Sequence, residues 1–196
     1  MADEQFILAS ASPRRRDLLN QLGLSFTVVA VDIDETPDHG EIPDNYVRRM
    51  ATNKALAGWE CADQLPVLAA DTICVLDQQI LGKPESLQAA EAMLGKLSGS
   101  KHTVITAVSL YNEQHQQIIS KSQVSFKPLS MIEIQNYCQT HEPMGKAGSY
   151  AIQGYAAAFI SNISGSYSNI VGLPLFETAE LLKQIDIHIF PAKLHQ

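Results

Sequence analysis

The chain has 196 residues, 45% of them apolar, which is enough for one sizeable core and points to a single domain over residues 1–196. A formal net charge of −7 excludes binding to nucleic acid through the bulk field, so any cationic cluster must act locally. Three widely spaced cysteines, histidines without His-Glu-x-x-His spacing and the lack of a bilayer-length apolar run argue against a disulfide framework, a zinc site and a membrane partner. With acids where a leader peptide would carry lysines, the expected setting is the reducing cytoplasm.

In chain order, Phe6 to Ala9 reads as a short buried strand, followed by Ser10 and Ser12, then Pro13 at a first helical position and three arginines. A helix over Arg14 to Leu22 stops at Gly23, and Phe26 to Val31 is a β-branched strand. An acidic loop, Asp32 to Pro37, leads to Asp44 as an N-cap and a helix from about Tyr46 to Glu60. Val67 to Asp71 reads as a buried strand ending on a carboxylate, and Cys74 to Leu81 as a small hairpin closed by Gly82-Lys83-Pro84. Ser86 caps a helix to Leu97, and Thr103 to Leu110 and Ile118 to Phe126 form two antiparallel strands. Ser130 caps a helix to Cys138, a Gly-rich loop spans Gly145 to Gly154, and Tyr155 to Ile160 is expected as a strand. A polar loop at Gly165 to Asn169 precedes a last helix from Leu175 to Gln184. Strands alternating with helices, with a hairpin inserted later, predict an α/β fold on a mixed sheet.

A strand that turns into a helix N-terminus presents free N–H groups and the positive end of a dipole. Ser10 and Ser12 add hydroxyls, and Arg14 and Arg15 add forks that match phosphate oxygens. The turn carries neither Gly-x-x-x-x-Gly-Lys nor Gly-x-Gly-x-x-Gly, so it is not a P-loop or a dinucleotide fingerprint. Asp71, past an apolar strand, and Glu35, in the acidic loop, can hold a divalent cation or orient a water. Lys54 shares a helical face with Val47, Met50, Ala51 and Gly58, which places a cation on an apolar surface, whereas Arg48 and Arg49 lie opposite and read as solvated. Lys83 sits in a rigid turn and completes a set of four cations, a match for the ~4 negative charges of a nucleoside triphosphate. The Gln153 amide offers one donor and one acceptor, the pattern of a uracil or thymine imide edge. Taken singly, a capping serine, a solvated acid, a snorkelling lysine or an incidental loop glutamine is the commoner reading. Taken together, the groups form one constellation for metal, phosphates and base.

The runs Ser10-Ala-Ser12-Pro13-Arg14-Arg15, Asn53-Lys54-Ala55, Ala70-Asp71-Thr72, Gly82-Lys83-Pro84 and Gly165-Ser-Tyr-x-Asn169-x-Val-Gly172-Leu-Pro174, with Glu35 between the first two, resemble the Maf (septum-formation inhibitor type) nucleotide pyrophosphatases over nearly the whole chain. Gly148-Ser-Tyr150-Ala-Ile-Gln153-Gly154 resembles the dTTP/UTP branch. The resemblance implies a house-cleaning hydrolase that cleaves dTTP and UTP, and modified pyrimidine nucleotides, to monophosphate and pyrophosphate. It implies a mixed-sheet fold related to inosine-triphosphate pyrophosphatases, with helices flanking the sheet and two lobes around a cleft, a divalent metal (Mg²⁺ or Mn²⁺) and a homodimer. By resemblance the proton acceptor falls on Asp71, specificity on Arg15, Thr72 and Gln153, and phosphate and metal contacts on Ser10, Arg14, Glu35, Lys54 and Lys83. The rival reading is a non-catalytic regulator of cell division that binds a partner. A nucleotidyltransferase or kinase would share the phosphate cradle and need an acceptor site as well.

Overall fold

The structure is a computed structural model, and it describes residues 4–62 and 65–189. Four apolar residues make strand β1 (Phe6–Ala9), which passes through Ser10 to Ser12 into helix α1 (Pro13–Gln21) and returns as β2 (Phe26–Val29), parallel to β1. Helix α2 (Pro43–Trp59) then crosses to β3 (Val67–Leu76), which pairs parallel with β1 on its other side. From there the sheet turns antiparallel: β4 (Gln79–Leu81) folds back on β3, helix α3 (Leu87–Leu97) follows, and β5 (Lys101–Asn112) and β6 (Gln114–Phe126) form a long hairpin. Helix α4 (Met131–Gln139), strand β7 (Ile160–Ser164) and helices α5 (Tyr167–Val171) and α6 (Leu175–Lys183) complete the chain. The seven strands form one mixed sheet in the order β2-β1-β3-β5-β6-β7, with β4 on β3. No helix among the described residues is long and apolar enough to cross a membrane.

Four expectations are corrected. The strand at Asp71 does not end there: Thr72-Ile73-Cys74-Val75 continues its β-branched run, and β5 pairs with it from Val67 to Val75, so Asp71 lies mid-strand. Helix α2 starts earlier, with Ile42 at the N-cap and Pro43 in the first turn, where its missing N–H costs nothing; Asp44 sits inside that turn and pairs with Lys121. Tyr155–Phe159 is a 3-10 turn, because the Glu142 carboxylate accepts the N–H groups of Tyr155 and Ala156; strand pairing with β6 begins only at Ile160. The polar segment after Gly165 holds a short helix, α5, capped by the Ser166 hydroxyl on the Asn169 N–H. By contrast, Ser86 caps α3 as expected, and Ser130 with Glu133 forms a full capping box on α4.

Strand β3 is the spine. Its β5 edge is continuously paired, but its opposite edge is shared: β1 covers it up to Ala69 and β4 from Cys74 onward. Residues 70–73 face a gap in the sheet. The core breaks at the same level. On the α1/α6 face Leu68 and Ala70 belong to one apolar cluster and Cys74 to another, with Thr72 between them. On the α2 face Val67 and Ala69 belong to one cluster and Ile73 and Val75 to another, with Asp71 between. The long strands thus run through two lobes, and the polar residues lie at the divide.

Candidate active site

Successive side chains of a strand point to opposite faces, so Asp71 and Thr72 diverge. Asp71 meets Lys54 of α2, whose Nζ donates to Oδ1 at 2.6 Å. Thr72 meets Arg15 of α1, whose Nη2 donates to Oγ1 at 3.0 Å. At the gap in the sheet both faces open into one cavity of about 340 Å³. Ser10, Ser12, Arg14, Arg15, Glu35, Lys54, Asp71, Thr72, Lys83 and Gln153 all line it, so every residue singled out from sequence converges there.

The serine–arginine turn differs in detail from a capped basic helix. Ser12 occupies the N-cap but its hydroxyl makes no cap hydrogen bond. Ser10 Oγ accepts instead from the Ser12 N–H at 3.1 Å and from Arg15 Nη1 at 3.3 Å. Arg15 is buried, and its remaining contact is Nε to the Gly172 carbonyl at 2.8 Å. All three partners are neutral, so the guanidinium holds α1, β3 and the Gly172 segment together without losing its charge to a carboxylate. Burial lowers its pKa and the Asp71 charge opposes that.

The acids are tied to lysines. Lys54 Nζ is 2.6 Å from Glu35 Oε1 as well as 2.6 Å from Asp71 Oδ1, and Lys83 Nζ reaches Glu35 Oε2 at 2.9 Å. Burial pushes the Glu35 carboxyl up, but its hydrogen bonds and ion pairs with Lys54 and Lys83 outweigh that and hold it down at about 2. Two side chains passed over in the sequence fasten its loop. The Tyr46 hydroxyl donates to the Glu35 carbonyl at 2.8 Å, and Arg49, read as solvated, is half-buried, forks onto Glu41 and donates to the Thr36 carbonyl. The loop folds back over the start of α2, which periodicity along one helix does not reveal.

Lys146 also lines the cavity and was not singled out, although its setting near Gly145 and Gly148 is the same signal that marked Lys83. Its Nζ donates to the carbonyls of Glu142 and Met144, and burial, then the nearby Arg14, lower its pKa. Gly148 is required: at φ +73 it passes so close to Cys74 that a Cβ would lie 2.8 Å from Sγ. At Gly154, after Gln153, a Cβ would meet only the Glu142 carboxylate, the end of a flexible side chain, so the constraint there is weaker. Two carboxylates set among five cations at the end of β1, beneath the N-terminus of α1, make a cleft whose charge and donors could accept a polyphosphate.

The chain belongs to the Maf-like protein family, whose profile matches residues 5–185. It is 49% identical over 186 residues to the dTTP/UTP pyrophosphatase of Pseudoalteromonas atlantica, covering 92% of this chain and 97% of that one. It is 50% identical over 197 residues to the dTTP/UTP pyrophosphatase of Nitrosomonas europaea, covering 93% and 95%. Among solved structures, a nucleoside-triphosphatase / dITP/XTP pyrophosphatase from Mycobacterium abscessus matches with a TM-score of 0.41 at 18% identity, over 63% of this chain and 74% of that one.

Proposed function

We propose that this chain is a nucleoside triphosphate pyrophosphatase that hydrolyses dTTP and UTP to the monophosphate and pyrophosphate. The observation that carries it is the cavity at the sheet gap, where two acids, five cations and the exposed Gln153 amide meet. Near-full-length relatives at about half identity bearing that activity in their names support the substrate class.

In this reading Asp71 takes a proton from the water that attacks the α-phosphorus. The new bond is water oxygen to phosphorus, and the bond from the α-phosphorus to the bridging oxygen of the β-phosphate breaks. Arg14, Lys54 and Lys83 take up the charge that develops on the departing pyrophosphate, so positioning and electrostatics carry the rate. Ser12, with an unused hydroxyl above the start of α1, and Ser10 face the same phosphates. Thr72 and Arg15 shape the wall behind them, and Gln153 reads the pyrimidine imide edge. The donor set fits a divalent cation: Glu35 and Asp71 present oxygens around one point, and Mg²⁺ or Mn²⁺ takes one or two carboxylates with substrate phosphates and water supplying the rest. Bound there, the ion would neutralise phosphate charge.

The test is a panel of nucleoside triphosphates with Mn²⁺ and product identification. UTP and dTTP are expected to yield monophosphate and pyrophosphate without an added acceptor. Release of orthophosphate, equal turnover of GTP and ATP, or no turnover at all overturns the reading, the last in favour of a partner-binding regulator.

A further inference from the structure

The two carboxylates assigned to the metal already share a cation. Lys54 Nζ stands 2.6 Å from an oxygen of each. A divalent ion on that pair would stand about 2.0–2.6 Å from the same oxygens, which is the ammonium's own position. Lys54 and the ion compete for one place.

We propose that Lys54 is a resident counter-cation that occupies the metal position between Glu35 and Asp71 and leaves it only when polyphosphate arrives, so that metal and nucleotide bind interdependently. The proposal rests on the pyrophosphatase reading for its ligand and adds how that site is loaded.

Three observations support it. First, Lys54 is 9% exposed and projects from the apolar face of α2, with Met50 and Ala51 one turn before it. An ammonium expelled by metal alone would be buried without a partner, which is strongly unfavourable. Phosphate oxygens would supply that partner. Second, Lys83 lacks this property: its side chain is 59% exposed and its one ion pair among the described residues is with Glu35, so it can swing into water. Third, Arg14, Arg15 and Lys146 form no ion pair with a carboxylate among the described residues, so the cleft is positive before any metal enters. A lone divalent ion would add to that charge, whereas one arriving with a polyanion would not.

The experiment titrates Mn²⁺ into wild type, Lys54→Met and Lys83→Met without nucleotide, counting free ion by electron paramagnetic resonance. Lys54→Met is expected to bind Mn²⁺ about tenfold tighter than wild type, and Lys83→Met no more than about threefold tighter. Equal gains in the two variants, or no gain in Lys54→Met, overturn the proposal, since either result shows charge removal without occupancy. A second measurement separates displacement of Lys54 from simple bridging by phosphate. Water-proton relaxation follows Mn²⁺ on wild type and Lys54→Met with and without a non-hydrolysable UTP analogue, and in parallel with inorganic tripolyphosphate. Each polyphosphate is expected to tighten Mn²⁺ binding about tenfold more in wild type than in Lys54→Met, where bridging alone remains; equal tightening in the two overturns the proposal. None of these readouts involves turnover. A protein that shows the coupling but releases no pyrophosphate from UTP loses the substrate reading and keeps this one, and an active enzyme without coupling does the reverse.

Discussion

Asp71 and Thr72 are consecutive, and the pleat of β3 hands one to the lysine of α2 and the other to the arginine of α1. Asp71 was visible in the sequence as a carboxylate in an apolar run, Lys54 as a cation on an apolar face, and Arg14 with Arg15 as a cluster after a strand. Lys146 carried the same glycine-flanked signal as Lys83 and was passed over, whereas Tyr46 left none, because its role depends on where the Glu35 loop folds back over α2. Asp71→Asn keeps the shape and leaves Lys54 paired to Glu35, but removes the proposed base. Turnover of UTP is expected to fall about 10²–10⁴-fold with an unchanged circular dichroism spectrum, and near-normal kcat would remove Asp71 from the mechanism. Gln153→Ala is expected to lower kcat/KM for UTP at least about tenfold while leaving whatever hydrolysis of GTP wild type shows unaltered. Comparing the two substrates on one preparation separates lost base recognition from lost protein.

The helices and strands place these groups by how tightly they pack. Gly58, on the buried face of α2, lies against β1 and β3: a Cβ there would come within 2.7 Å of the Ala9 Cβ and 2.8 Å of Val67 Cγ1. Ala9 is the residue before Ser10, so the helix bearing Lys54 is seated against the strand that delivers the serine–arginine turn. Overpacking costs about 1–3 kcal/mol, while alanine in a helix interior recovers up to about 1. Because the clash at Ala9 is with a side chain that has no freedom to move, Gly58→Ala is expected to destabilise by about 1–2 kcal/mol in urea unfolding, with a raised KM for UTP. A stability gain would show that α2 can slide on the sheet. The capped helices α3 and α4 were readable because their caps are local, within three residues. The 3-10 turn at Tyr155–Phe159 was not, since the Glu142 carboxylate that shapes it lies 13 residues from Tyr155 in the chain.

Across the whole molecule, stability should depend on pH through His102. It is 2% exposed, its Nε2 lies 2.9 Å from the Tyr150 hydroxyl, and its Nδ1 has no partner among the described residues. Burial lowers its pKa from 6.5 to about 4. The unfolded chain therefore binds this proton first, and stability, complete above about pH 6.5, is lost as pH falls towards 4, by up to about 3 kcal/mol. Glu35 adds a lower window: held at about 2, its contribution is present above the ordinary carboxylate range and disappears as pH falls from about 4.5 to 2. Denaturant unfolding at pH 7 and 4.5 checks the first window. His102→Gln, which can still bond Tyr150, is expected to flatten the loss, and an unchanged pH slope would reassign it.

The residues alone determined the mixed α/β class, most element positions and most of the polar residues that line the cavity, because buried strands, caps and Gly-flanked cations leave signals within a few neighbouring residues. Only the tertiary structure decided that β3 runs through Asp71, that β1 and β4 leave its edge open over residues 70–73, and that Lys54 stands between both carboxylates. Those features come from pairing between segments tens of residues apart, and long-range register is set by packing of the complete sheet.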